Sequence, residues 1–132
     1  MMHHILIVED SPTDVDLLNE SLTMAGIAYQ PLLADHGNEA MALLPRLGVD
    51  LPMPHLVILD LNLPGYSGFD LLEAIRRREA FARTPVVVMS GSLNPKDAEK
   101  ALANGATLYL EKAHDLARFL EHGRRLKTLL GG

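Results

Sequence analysis

Acidic residues punctuate the ends of apolar runs in this chain. Glu9 and Asp10 directly follow Ile5-Leu6-Ile7-Val8, and Asp60 directly follows Leu56-Val57-Ile58-Leu59. Ser90 comes straight after Val86-Val87-Val88-Met89, and Lys112 ends the stretch Leu108-Tyr109-Leu110-Glu111-Lys112. If these runs are strands of one parallel sheet, all of these groups gather beyond its carboxyl ends, where open α/β sheets bind their ligands. Carboxylates at close range raise one another's pKa unless something neutralises them. Glu9, Asp10 and Asp60 carry −3 and Lys112 returns +1, so a divalent cation would supply the missing +2. Magnesium prefers oxygen ligands, keeps several waters and takes one or two direct carboxylates. Manganese accepts the same ligands. Singly, each residue is an ordinary loop start; together at matching ends they mark a site.

The elements that must position them follow from the pattern. The runs at 5–8, 56–59 and 86–89 do not alternate with polar residues, which predicts strands covered on both faces. A weaker run, Ala28 to Leu33, carries Pro31 and suits an edge. Ser11-Pro12-Thr13-Asp14 is a helix start, with Val15, Leu18, Leu22 and Ala25 on one face and Gly26 as the stop. Residues 38–44 predict a short second helix that Pro45 ends or kinks. Leu71, Leu72 and Ile75 mark a third, running out through Arg76-Arg77-Arg78. Asn94-Pro95 opens a fourth that Gly105 closes, with Ala98, Ala101 and Leu102 expected inward and hence weak anchorage. Leu116, Phe119, Leu120, Gly123, Leu126 and Leu130 give the last helix an apolar stripe. Strict strand–helix alternation predicts a doubly wound α/β domain with right-handed crossovers.

The length of 132 residues suits one domain, expected here over 1–132. The absence of cysteine excludes disulfides, thiol chemistry and zinc knuckles. With 12 basic against 17 acidic residues the net charge is −5, which argues against broad contact with nucleic acid or an anionic membrane. No apolar run reaches the roughly 18 residues of a membrane span, and the Met1-Met2-His3-His4 start lacks the features of a secretory signal. A cytoplasmic location is the expectation.

Four segments carry a further signal: Val8-Glu9-Asp10-Ser11, Leu59-Asp60-Leu61-Asn62-Leu63-Pro64 with Gly68, Met89-Ser90-Gly91, and Tyr109-Leu110-Glu111-Lys112. In this order and spacing, from Ile5 to about Leu129, the chain resembles response-regulator receiver domains. The wording of the first two segments is most similar to single-domain regulators that serve phytochrome-type sensor kinases. The resemblance implies a flavodoxin-like, three-layer (βα)5 fold with a five-stranded parallel sheet in the order 2-1-3-4-5. It implies that Asp60 accepts a phosphoryl group from a sensor histidine kinase in a magnesium-dependent two-component relay, a covalent use of a carboxylate nucleophile. Asp10 would bind the metal directly, Glu9 through a water, and the Asn62 backbone carbonyl would complete the protein ligands beside Asp60. Lys112 would pair with Asp60 and then with a phosphate oxygen, to which Ser90 would also donate. Ser90 and Tyr109 would form the switch that changes the face built from the fourth helix, fifth strand and fifth helix, read by a downstream protein. The module would signal rather than act as an enzyme beyond its own phosphoryl transfer and dephosphorylation.

Two positions depart from the family pattern. Proline usually follows the lysine through a cis bond, and Ala113 stands there instead. A cis bond before alanine costs about 2.5–4 kcal/mol, so the bond is either trans or strained. Ser92 replaces a larger polar residue. With Gly131-Gly132 following Leu130, no output domain is expected in cis, and the last helix and fifth strand could support a homodimer.

Other features are expected to be structural. His3 and His4 are adjacent on a strand and point to opposite faces, and His36, His55, His114 and His122 show no ligand spacing. Arg76-Arg77-Arg78, Arg124-Arg125 and Lys127 are expected to be solvated charges complementing helix dipoles. An aspartyl-phosphate hydrolase would place a second acid two residues after its nucleophile, where this chain has Asn62. A flavin module would need a Gly/Ser/Thr-rich phosphate loop, and Glu9-Asp10 would repel a phosphate. Ala113 leaves room for a phosphate-silent scaffold of the same fold.

Overall fold

A computed structural model describes residues 2–131, so Met1 and Gly132 lie outside the described residues. The strands are β1 (His3–Val8), β2 (Tyr29–Ala34), β3 (Leu56–Leu59), β4 (Val86–Ser90) and β5 (Leu108–Glu111). The helices are α1 (Pro12–Met24), α2 (Gly37–Leu43), α3 (Gly68–Arg76), α4 (Pro95–Ala103) and α5 (Leu116–Leu129). All strand pairs are parallel, in the order β2-β1-β3-β4-β5. This is the doubly wound, flavodoxin-like arrangement that the alternating pattern and the resemblance predict.

The sheet's two faces explain the unbroken apolar runs. Ile5, Ile7, Leu56, Ile58, Val87 and Leu110 pack with Leu18 and Leu22 of α1 and Leu126 of α5. Leu6, Val8, Val57, Leu59, Val86 and Val88 pack with residues of α2, α3 and α4, including Ala40, Leu72 and Ala101. Successive strand residues point to opposite faces, so a strand sandwiched between helix layers has no polar position left.

Several local expectations need correction. The edge strand covers Tyr29–Ala34, so Ala28 falls outside it. The second helix covers Gly37–Leu43 rather than 38–44, and Pro45 ends it as expected, in a 3-10 turn over Leu44–Arg46. Leu102 is half exposed and only Ala101 of α4 is fully buried, so α4 is held even more lightly than its sequence suggests. Leu116 is also exposed, and the buried face of α5 is His122, Gly123 and Leu126. At Gly123 a Cβ would lie 2.5 Å from the Ser21 carbonyl oxygen of α1. Only a glycine lets the two helices approach this closely, and the buried Ser21 hydroxyl seals the contact by donating to the Phe119 carbonyl at 2.6 Å.

Arg76 is not a solvated charge. Its guanidinium donates to the carbonyls of Gly105, Phe81 and Thr84 at 2.8, 2.8 and 2.9 Å, fastening the loops that enter β4 and β5. Arg77 beside it does pair with Glu73 at the surface. Among the described residues no helix is long and apolar enough to cross a membrane.

Candidate functional site

Register brings the acidic ends together. Val8 of β1 pairs with Leu59 of β3, so Glu9 and Asp60 emerge side by side, and the Asp60 N–H donates to the Val8 carbonyl at 3.0 Å. Ser90 of β4 pairs with Glu111 of β5, and the Lys112 N–H donates to the Ser90 carbonyl at 2.9 Å. Parity then sorts the side chains. Glu9 continues the face of Ile5 and Ile7, Asp60 that of Ile58, and Lys112 that of Leu108 and Leu110, all toward α1 and α5. Ser90 continues the face of Val86 and Val88, and Tyr109 packs there too, toward α2, α3 and α4.

Asp60 is buried, with 5% exposure, and its Oδ1 accepts from the Asn62 N–H at 3.2 Å. Gly68 lies against it: a Cβ there would stand 2.2 Å from the Asp60 carbonyl oxygen, so the start of α3 presses directly on the loop that carries the acid. Lys112 reaches three carboxylates. Its Nζ lies 2.7 Å from Asp14 Oδ2, 2.8 Å from Glu9 Oε1 and 3.1 Å from Asp60 Oδ2. Burial alone would lower the lysine pKa, but hydrogen bonds to Asp14, Glu9 and Asp60 outweigh it and hold the ammonium above its ordinary value. The Lys112–Ala113 bond is trans, like every described peptide bond, and does not keep the ammonium from Asp60.

Glu9 has the opposite problem. Burial pushes its carboxyl up to about 7, the nearby Asp60 charge pushes the same way, and the bond to Lys112 only partly offsets them. One carboxylate oxygen each from Glu9, Asp10 and exposed Asp10's neighbour in space, Asp60, lie within 4.8 Å of one another. An all-oxygen donor set whose three carboxylates outnumber the single ammonium beside them fits a hard dication.

The other predicted residues sit beside this cluster. Ser90 is fully buried, and its hydroxyl oxygen accepts from the Ser92 N–H at 3.1 Å. Tyr109 is half-buried, and its hydroxyl makes only a long contact of 3.4 Å to the Ser92 carbonyl. Ser92 in turn hydrogen-bonds Asp97 of α4 and accepts from the Asn94 N–H at 3.2 Å. Ser92 therefore joins both predicted switch residues to the start of α4.

The sequence reading missed Asp14, which looked like an ordinary acid in a first helical turn. It also passed over His122, buried on α5 with Nδ1 unpartnered. The histidines are not uniformly isolated either: His36 comes together with Asp35 and Glu39 at the surface, although its Nδ1 is already used as the cap of α2.

Comparison with known proteins agrees with this geometry. The family model described as the response regulator receiver domain matches residues 5–124. Response regulator Rcp1 of Synechocystis sp. is 36% identical over 114 residues, covering 85% of this chain and 78% of that protein. The Mn(2+)-bound crystal form of Rcp1 superposes with a TM-score of 0.83 at 32% identity, covering 96% of this chain and 92% of that one. The phosphorylated cyanobacterial phytochrome response regulator RcpA superposes at 0.87 with 28% identity, covering 100% and 96%. The receiver domain of the Pseudomonas aeruginosa sensor histidine kinase PA1611, with magnesium coordinated in its active-site cleft, superposes at 0.79 with 25% identity and complete coverage of both chains (100% each). Several other curated relatives are transcriptional regulators of which the chain spans about half, 47–49%.

Proposed function

We propose a function from one premise: this chain belongs to the response regulator receiver domain family. Asp60 is the phosphoacceptor of a two-component relay. A carboxylate oxygen of Asp60 attacks the phosphorus of a kinase phosphohistidine, the P–N bond breaks, and its electron pair leaves with the imidazole, which takes up a proton. The observation that carries this reading is the placement of Asp60 itself, buried, with Lys112 Nζ at 3.1 Å and within 4.8 Å of Glu9 and Asp10 oxygens.

Glu9, Asp10, Asp60 and the Asn62 backbone carbonyl would hold a magnesium ion, with manganese as the alternative. When bound, the dication supplies neutralisation of charge on the phosphoryl oxygens. Lys112 pairs with one of those oxygens and Ser90 donates to another, a preorganised arrangement aimed at charge that grows during transfer. Drawing Ser90 toward the phosphoryl group pulls on Ser92, and Tyr109, tethered only by its long contact, moves into the vacated space. The face of α4, β5 and α5 then changes for a downstream protein, a local charge event biasing a bistable element.

The likeness to RcpA supports a phytochrome-type sensor kinase as the partner. We assign the chain to the cytoplasm, with proteins rather than nucleic acid or membrane as its partners; α5 and β5 are the elements that could support a homodimer. The phosphate-silent alternative drew on Ala113, and no contact favours it, because Lys112 engages Asp60 with the following bond trans. The test is incubation with a small acyl phosphate and magnesium, followed by intact mass. The parent chain should gain one phosphoryl group and Asp60→Asn none; retention of the gain by Asp60→Asn would move the acceptor elsewhere.

A further inference from the structure

Lys112 divides its three protons among three carboxylates, yet Asp14 stands outside the group that could share a cation. Asp14 holds the ammonium from α1 at 2.7 Å, across 98 residues of chain. Its freedom to do so traces to the way α1 is capped. At α3, Ser67 accepts from the Asp70 N–H and Asp70 reaches back to the Ser67 N–H at 3.1 Å, a complete capping box. The start of α1 has the same spacing, and Ser11 accepts from the Asp14 N–H at 3.3 Å. There, however, the Ser11 N–H donates to Glu9 Oε2 at 3.2 Å instead. Glu9 has taken over the acid's duty in the cap, and the Asp14 carboxylate is released toward β5.

We propose that Asp14 is a positioning residue that parks Lys112, keeping the ammonium at hand while drawing it off the carboxylates that a dication must use. The inference rests on the acidic cluster being a dication site. Glu9 and Asp60 side chains are 9% and 6% exposed and that of Asp14 is 33% exposed, so the parking place is at the rim. Without Asp14 the ammonium has only Glu9 and Asp60 as anionic partners, and an incoming cation must displace it from both. With Asp14 it retains one partner throughout and stays within reach of a phosphoryl oxygen on Asp60.

The experiment is calorimetric titration of the full chain with magnesium chloride at fixed pH and ionic strength. Four proteins are compared: the parent, Asp14→Asn, Lys112→Met and the double variant. In the presence of Lys112, Asp14→Asn should weaken magnesium binding about three- to tenfold, the equivalent of one modest ion pair. In the Lys112→Met background the same change should weaken it clearly less than in the parent, because there Asp14 has no ammonium to hold and acts only through its partly solvated charge at the rim. Equal weakening in both backgrounds, or none in the parent, overturns the proposal, since Asp14 would then act as one more negative charge or not at all. Absence of magnesium binding to the parent overturns both this inference and the dication site, whereas the mass gain on Asp60 is read separately. Should Asp14→Asn fail to fold, Asp14→Ser replaces it with the same outcomes.

Discussion

Asp60 owes its chemistry to its neighbours, and so does the pH response of Glu9. The folded-state pKa of Glu9, about 7, lies above its ordinary value of 4.5, so in this interval the folded chain binds more protons than the unfolded one. The stabilisation from this group is complete below about pH 4.5 and lost as pH rises through about 7, by at most about 3 kcal/mol. Urea melts without divalent ions at pH 5 and pH 7.5 should therefore show a decline that Glu9→Gln lacks. Magnesium, which favours the ionised carboxylate, should flatten it. An identical decline in Glu9→Gln would contradict the assignment. Lys112 behaves oppositely: with its pKa held above the ordinary value by its carboxylate partners, it stays charged throughout that range.

At the scale of elements, two small or misjudged residues hold the site's loops. Gly68→Ala would drive a Cβ into the Asp60 carbonyl oxygen, with a cost of about 2–4 kcal/mol and a fall in phosphoryl uptake. Denaturant melts and the mass assay check both, and a melt within about 0.5 kcal/mol of the parent would refute the contact. Arg76→Met would remove the side-chain donor from the Thr84, Gly105 and Phe81 carbonyls, of which Phe81 keeps the Thr84 N–H, costing about 2–4 kcal/mol in the same melts. The pattern of the chain made the elements legible because each buried strand is a bare apolar run and the Ser11-Pro12 and Asn94-Pro95 starts carry their caps, whereas the caps at His36, Ser67 and Asp115 emerge only in the structure. Glu9, Asp10, Asp60, Ser90 and Lys112 were legible because strand ends in a parallel sheet share one edge. Asp14, Arg76 and His122 were not: each sits at a position where a polar residue is ordinary on a helix, and only the third dimension shows what lies opposite. Leu102 and Leu116 failed for the converse reason, since helical spacing marks an apolar side but not how far the neighbouring layer extends.

For the molecule as a whole, a dication that binds only the folded site must raise its stability. At a concentration 100 times its dissociation constant the gain is about 2.7 kcal/mol, a rise in melting temperature on the order of 10 °C. Chelation should reverse the rise and Asp10→Asn should abolish most of it; a melt indifferent to magnesium in the parent would speak against the cluster as a metal site. The division of side chains by strand parity has a further consequence. Glu9, Asp60 and Lys112 lie toward one helical layer while Ser90 and Tyr109 lie toward the other. On the proposed reading, the acid that takes the mark and the side chains that would answer it thus start on opposite banks of the sheet and meet at its rim. A change at Tyr109 should then blunt the answer while the mark is still written, whereas a change at Ser90, which would also hold the phosphoryl group, should disturb both.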